Sequence, residues 1–171
     1  MKYDLMIGID PGVSNGGIAI KRDFAKTYRC PREFKEMRAM FRYIKNYGKN
    51  PLAFIEVVQL FSTDSKTPGK QYGLQKLFRH FNSLKNALES ENIPYVEVYP
   101  QSWQSFLKLK TKQPESDRDR KNRYKRAAQN YFPEERVTLW NSDALLLMYF
   151  GIKKIVLDPD WIKKRMFNPQ N

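Results

Sequence analysis

The chain predicts an α/β fold, with a central mixed sheet of five strands flanked by helices. Three observations predict it. Short apolar runs bounded by Gly, Pro and Asn alternate with stretches whose apolar residues recur every three or four positions. Residues 52–58 are almost continuously apolar, as expected of a strand covered on both faces. The order along the chain is three strands, a helix, a strand, a helix, a strand and then helices only.

Each element has its own signal. Residues 4–10 are an apolar run ending in Asp10, and a Pro11-Gly12 loop follows. Strands at 16–22 and 25–30 continue an antiparallel meander, with turns at Asn15-Gly16 and Arg22-Asp23. Pro31 opens a helix whose inner face is Phe34, Met37, Phe41 and Ile44, with Gly48 near its end. The strand at 52–58 carries one charge, Glu56. Residues 59–70 form a polar loop containing Thr67-Pro68-Gly69. A helix over 71–92 places Leu74, Leu77, Phe78, Phe81, Leu84 and Leu88 on one buried face. A fifth strand spans 93–99, Pro100 ends it, and a short helix covers 103–107. A polar linker at 110–117 precedes a basic helix at 118–131, with Pro133 just beyond. Ser142 opens a largely buried helix that Gly151 closes. The chain shows no repeat and no internal boundary, so residues 1–171 read as a single domain whose residues 155–171 form a basic C-terminal extension. This element order resembles the ribonuclease H-like arrangement.

Composition narrows the function. Among 171 residues, 31 Lys and Arg face 18 Asp and Glu, a net charge of +13. That surplus attracts polyanions. It is concentrated at 108–126, where nine basic and three acidic residues give a net +6, and again at Lys153, Lys154, Lys163, Lys164 and Arg165. A solvated charged face is the plainer reading of such runs. Trp103, Tyr124, Tyr131, Trp161 and Phe167 lie near both clusters, as core or rim residues or as platforms for bases. No stretch approaches the roughly 18 apolar residues of a membrane span, no signal-peptide pattern precedes the first strand, and no membrane partner is expected. The one cysteine, Cys30, reads as a small packed hydrophobe in a reducing cytoplasm. With the single histidine His80 on a helix, neither a His-based zinc site nor a Ser-His-Asp triad has residues to build on.

The chemistry points to three acids. Asp10, Glu56 and Asp143 each sit in apolar, core-like segments, and burying an acid is costly unless it is paired or bound to a cation. A divalent-metal site is the economical explanation. Each acid also has a plainer reading. Asp10 caps its turn, Glu56 pairs with a buried Lys or Arg, and Asp143 favours a helix N-terminus through the dipole.

These residues carry a family resemblance. Ile7-Gly8-Ile9-Asp10-Pro11-Gly12 with Gly16-Gly17, Phe54-Ile55-Glu56, Val98-Tyr99-Pro100-Gln101-Ser102-Trp103, and Ser142-Asp143-Ala144-Leu145-Leu146-Leu147 resemble, in order, the motifs of RuvC-type Holliday junction resolvases. The resemblance is nearest to the short phage and viral members and spans about residues 5–151. It implies a homodimer that binds four-way DNA junctions and cuts two opposed strands. It also implies two Mg2+ ions per active site, with Mn2+ as a substitute, held by Asp10, Glu56 and Asp143. Lys121 resembles the family lysine that faces the scissile phosphate. Arg118, Arg120, Lys121, Arg123, Lys125 and Trp103 are the expected DNA contacts.

The chain departs from the pattern twice. The fourth acid usual three to five residues before the last is replaced by Thr138, Leu139 and Trp140, which leaves Asn141 as a weak ligand or, on its helix position, as an N-cap. Gln104 stands where a lysine often follows the tryptophan. Three other functions share parts of the pattern: a ribonuclease H acting on RNA–DNA hybrids, a catalytically silent junction-binding protein, and a sugar-kinase or actin-like ATPase. The last needs two such domains, and this chain has room for one.

Overall fold

The computed structural model describes residues 3–59, 68–111 and 113–169. The expected polar loop lies mostly outside them, as does Lys112. The described residues form six strands and six helices, of which all but the last two follow the predicted order: β1 (Leu5–Asp10), β2 (Gly17–Lys21), β3 (Ala25–Arg29), α1 (Phe34–Lys45), β4 (Pro51–Glu56), α2 (Pro68–Ser90), β5 (Tyr95–Val98), α3 (Pro100–Phe106), α4 (Asp117–Tyr131), α5 (Ser142–Leu157), α6 (Pro159–Arg165) and β6 (Met166–Phe167). The sheet order is β3-β2-β1-β4-β5-β6. β1, β4 and β5 run parallel, and β2, β3 and β6 pair antiparallel to their neighbours.

Strict alternation divides the sheet into two faces. Leu5, Ile7, Ile9, Ile18, Ile20, Ala53 and Ile55 pack against Met37, Phe41 and Ile44 of α1 and Phe81, Leu84 and Leu88 of α2. Met6, Leu52, Phe54, Val96 and Val98 pack against α5, with Trp103 of α3 and Tyr124 and Ala128 of α4 closing that layer. Nearly every residue of α5 from Ser142 to Gly151 is buried, which explains its unbroken apolar sequence. Its axis lies almost on the sheet. A Cβ on Gly8 would meet the carbonyl oxygen of Ala144 and, at 2.7 Å, the Cβ of Met148, so only glycine admits the helix there.

The structure revises several expected boundaries. α1 begins at Phe34, not Pro31, with Glu33 as its N-cap, and the Pro31 carbonyl before it accepts from the Nε2–H of the buried His80 at 2.9 Å. His80 is therefore a tie between α2 and the α1 approach. α2 starts earlier, at Pro68, and its apolar stripe divides. Phe81, Leu84 and Leu88 are buried, Leu74 and Leu77 are half-buried, and Phe78 is exposed. Pro100 ends β5 and also opens α3 as its first residue, a position that needs no N–H. Gly151 does not end α5. The helix runs on to Leu157, and Gly151 is small because the Phe54 ring presses on it. Residues 155–171, expected as a basic extension, supply the end of α5, all of α6 and the edge strand β6, which pairs with β5 and makes the sheet six-stranded. The pattern missed β6 because it is two residues long. Among the described residues no helix is long and apolar enough to cross a membrane.

Candidate active site

The parallel register of β1 and β4 creates the site. Ile9 pairs with Ile55, and one step further sets Asp10 beside Glu56 at the carboxyl ends of both strands. Side-chain alternation turns both acids to the face that α5 covers. Asp10 also pairs with Gly17 of β2, which pairs with Arg29 of β3, while Glu56 pairs with Val98 of β5. One row across the sheet therefore reads Arg29, Gly17, Asp10, Glu56, Val98. Asp143, the second residue of α5, comes down onto this row. The helix start is held low because a Cβ on Gly17 would meet the Trp140 carbonyl oxygen at 2.7 Å.

Local bonds fix each acid. Asp143 is buried, its Oδ2 paired with Lys121 Nζ at 2.5 Å and its Oδ1 accepting from Ser142 Oγ at 2.8 Å. Glu56 Oε2 accepts from Trp103 Nε1–H at 2.6 Å. The Cys30 thiol donates to the Asp10 carbonyl at 3.5 Å, and burial, then the Asp10 charge, push that thiol far above its ordinary value. Cys30 is thus an inert prop of the Asp10 turn, as its reading as a packed hydrophobe expected.

The acids strain one another electrostatically. Burial, then the charges of Asp143 and Glu56, push the Asp10 carboxyl well above the usual carboxylate range, with Lys121 acting in the opposite direction. Glu56 is pushed up to about 7 by burial and Asp143, against the pull of the Trp103 hydrogen bond, Lys121 and Arg120. Burial pulls Lys121 downward, but the charge and hydrogen bond of Asp143, with Asp10 and Glu56 beyond, outweigh it and hold the ammonium above the ordinary lysine value. Two of the plainer readings of the acids do not describe this arrangement. Glu56 has a tryptophan rather than a cation on its oxygen, and Asp143 is paired with lysine rather than merely facing a dipole.

Several expected roles are corrected. Asn141 does not cap α5 with its side chain, and its carboxamide bonds within the chain. Its Oδ1 accepts from Thr138 N at 2.7 Å and Thr138 Oγ1 at 3.1 Å, while Nδ2 donates to Thr27 Oγ1 and the Arg136 carbonyl. It ties the approach to α5 onto β3. Trp103 is 1% exposed and packs edge-on against Tyr124, so it has no face for a base; its work is to hold Glu56. Arg123 is bound to Glu115 and to the Leu109 carbonyl, fastening the linker to α4. Of the remaining expected contacts, Arg118, Arg120 and Lys125 are exposed, with Arg120 3.2 Å from Asp117, and Lys121 turns inward to Asp143.

Sequence reasoning missed Ser142, Thr27 and the role of Trp103 toward Glu56. Small polar or aromatic side chains signal no such partnership until the fold supplies the acid. Among the described residues, no three acids stand close enough to hold one ion. The donor chemistry nonetheless fits a hard divalent cation, since the site offers carboxylate oxygens and no nitrogen or sulfur ligand, and its acids repel one another.

No family model matches the chain, and no curated protein matches it by sequence. Solved structures do match. A Thermus thermophilus RuvC in complex with a Holliday junction substrate superposes with a TM-score of 0.60 at 12% identity, covering 90% of this chain and 96% of that one. A second T. thermophilus RuvC structure gives 0.59 at 13% identity with the same coverage. The chain has the fold of those structures.

Proposed function

We propose that this chain is a divalent-metal-dependent endonuclease that cuts branched DNA, four-way junctions in particular. The observation that carries the reading is the in-register pair Asp10 and Glu56 beneath Asp143, desolvated and mutually repelling, on a fold shared with a protein solved on a Holliday junction. The +13 charge and the exposed cations of α4 supply the attraction for phosphate.

The residues have separable tasks. Asp10, Glu56 and Asp143 would share the metals between them rather than place all three carboxylates on one ion, and magnesium in pairs is our specific reading, with manganese as substitute. When bound, the metal supplies a Lewis acid beside the scissile phosphate, stabilising negative charge there and activating the attacking water. Lys121 brings a permanent positive charge to the same point, which is where charge develops on the phosphate. Trp103 fixes the Glu56 carboxylate in one orientation, and Ser142 does the same for Asp143. Tyr124 and Ala128 bury one side of α4 and leave Arg118 and Lys125 facing solvent for backbone phosphates.

We further propose a homodimer, since two opposed cuts need two matched sites. The outer half of α2, with Tyr72 and Phe78 exposed and Leu74 and Leu77 half-buried, has the apolar area for a partner copy. A second reading, a junction binder that does not cut, draws on Asn141, whose carboxamide oxygen is already committed and leaves three carboxylates for the metals. One experiment separates them: a synthetic four-way junction incubated with and without magnesium. Cleavage only with the metal supports the nuclease. Binding without cutting in either magnesium or manganese supports the silent binder. Sedimentation of free and junction-bound protein at micromolar concentration tests the dimer, and a monomer in both states refutes it.

A further inference from the structure

Arg29 ends β3 in the same cross-strand row as the acids, pairing with Gly17, which pairs with Asp10. Direct cross-strand partners project to one face. Arg29 therefore stands on the face of Asp10 and Glu56, two strand spacings or roughly 10 Å from the Asp10 backbone. The residue between them, Gly17, has no side chain.

Arg29 is held differently from the arginines that pair with carboxylates. Arg22 pairs with Asp23, Arg38 and Arg42 with Glu91, Arg120 with Asp117, and Arg123 with Glu115. The Arg29 guanidinium instead lies over the Trp140 ring, 4.6 Å from its centroid, and donates through Nη1 to the Ser14 carbonyl at 3.3 Å. Arg32 donates through Nε to the Val13 carbonyl at 3.1 Å. Both side chains are exposed, and among the described residues neither has a carboxylate partner. A guanidinium fixed by a ring and a carbonyl keeps its full charge and presents its remaining N–H groups in a rigid fork. That is the geometry that grips a phosphate. Both carbonyls belong to the loop that leaves Asp10, so the two cations are tethered to the chain that follows that acid. On the other side, the Arg120–Tyr124 turn of α4 reaches the site through the Lys121–Asp143 pair and the packing of Tyr124 on Trp103, and the charges of Lys121 and Arg120 act on Glu56.

We infer that Arg29 and Arg32 form a second phosphate-binding wall across the acids from α4, and that Trp140 is the residue that positions Arg29 within it. The occupant is the sugar–phosphate backbone of a DNA strand, which crosses the acid row between the two walls. Trp140 stands three residues before Asp143, where the sequence lacks an acid, so the position serves strand binding rather than metal binding. The inference rests on the nuclease reading above and adds the path of the strand.

The test is binding of full-length protein to a fluorescent four-way junction in EDTA, over a range of salt, with thermal unfolding of every variant as the folding control. R29A and R32A should each bind about five- to tenfold more weakly and lower the salt slope by about 0.9. R29K should keep the slope and recover little affinity. W140A should weaken binding as R29A does, W140F should restore it, and the double variant R29A/W140A should bind no worse than R29A. If the unmodified protein fails to bind the junction, the nuclease reading fails. If it binds and R29A and R32A bind equally well with the same slope, the second wall is refuted while that reading stands. Fully additive losses for R29A and W140A would refute the positioning role of Trp140.

Discussion

Glu56→Gln probes the electrostatics of the site without any DNA. A glutamate in the unfolded chain titrates near 4.5, whereas Glu56 is pushed up to about 7 by burial and Asp143. The folded state therefore disfavours the carboxylate. The group has no net effect below pH 4.5, costs stability progressively as pH rises from 4.5 to 7, and carries its full penalty above that. At about 1.4 kcal/mol per pH unit the penalty reaches about 3 kcal/mol. Glu56 keeps some contact with water, so about 1–3 kcal/mol is expected. Glutamine keeps the carbonyl oxygen that accepts from Trp103 and removes the charge. In EDTA at pH 8 the variant should thus melt about 3–10 °C higher than the parent, the conversion expected for a chain of this size. The gain should shrink towards zero near pH 4. Magnesium should narrow the gap at pH 8 by stabilising the parent alone, and the variant should not cut DNA. Calorimetry at the two pH values decides. Equal stabilisation at pH 4 and 8, or none at pH 8, would refute the claim that Glu56 is a desolvated, repelled carboxylate.

Other outcomes follow from the same geometry. Trp103→Phe keeps the packing on Tyr124 and deletes the 2.6 Å hydrogen bond to Glu56, so cleavage should fall about 10–100-fold while junction affinity in EDTA holds; a matching loss of affinity would contradict a role confined to Glu56. Gly8→Ala drives a Cβ into Ala144 and Met148 and should cost about 1–3 kcal/mol in urea unfolding. Alanine at Arg118, Arg120 and Lys125 together should flatten the salt slope of junction binding by about 0.9 for each phosphate that is no longer neutralised, and an unchanged slope would leave that face merely solvated. Asp10→Asn and Asp143→Asn should each abolish cutting with junction binding retained, as read by gel shift and product analysis.

Much of this protein was legible from local pattern. Strand alternation, the apolar run at β4, the spacing of three and four along α1 and α2, and turn residues after Asp10 depend on neighbours within about ten positions, and they located five of the six strands among the described residues and the three acids. Asp10 and Glu56 stood out because a charge inside an apolar run is conspicuous without any structure. The surplus of cations on α4 was equally plain.

What the sequence could not determine depends on contacts between distant segments. Trp103 and Glu56 are 47 residues apart, and only the parallel register of β4 and β5 joins an indole N–H to a carboxylate, turning an expected base-stacking residue into a support for an acid. Asn141 read as an N-cap before a weak ligand until Thr27, 114 residues away, took its amide. Arg29 was one more charge at the end of a strand until two successive pairings set it in line with Asp10. The two-residue β6 carries too little pattern to be seen and exists because the β5 edge offers it hydrogen-bond partners. Composition and spacing determine which residue types are present and which elements they form. The partner of a polar side chain is determined by register and packing, because hydrogen bonds and ion pairs act over about 3 Å whatever the separation in sequence.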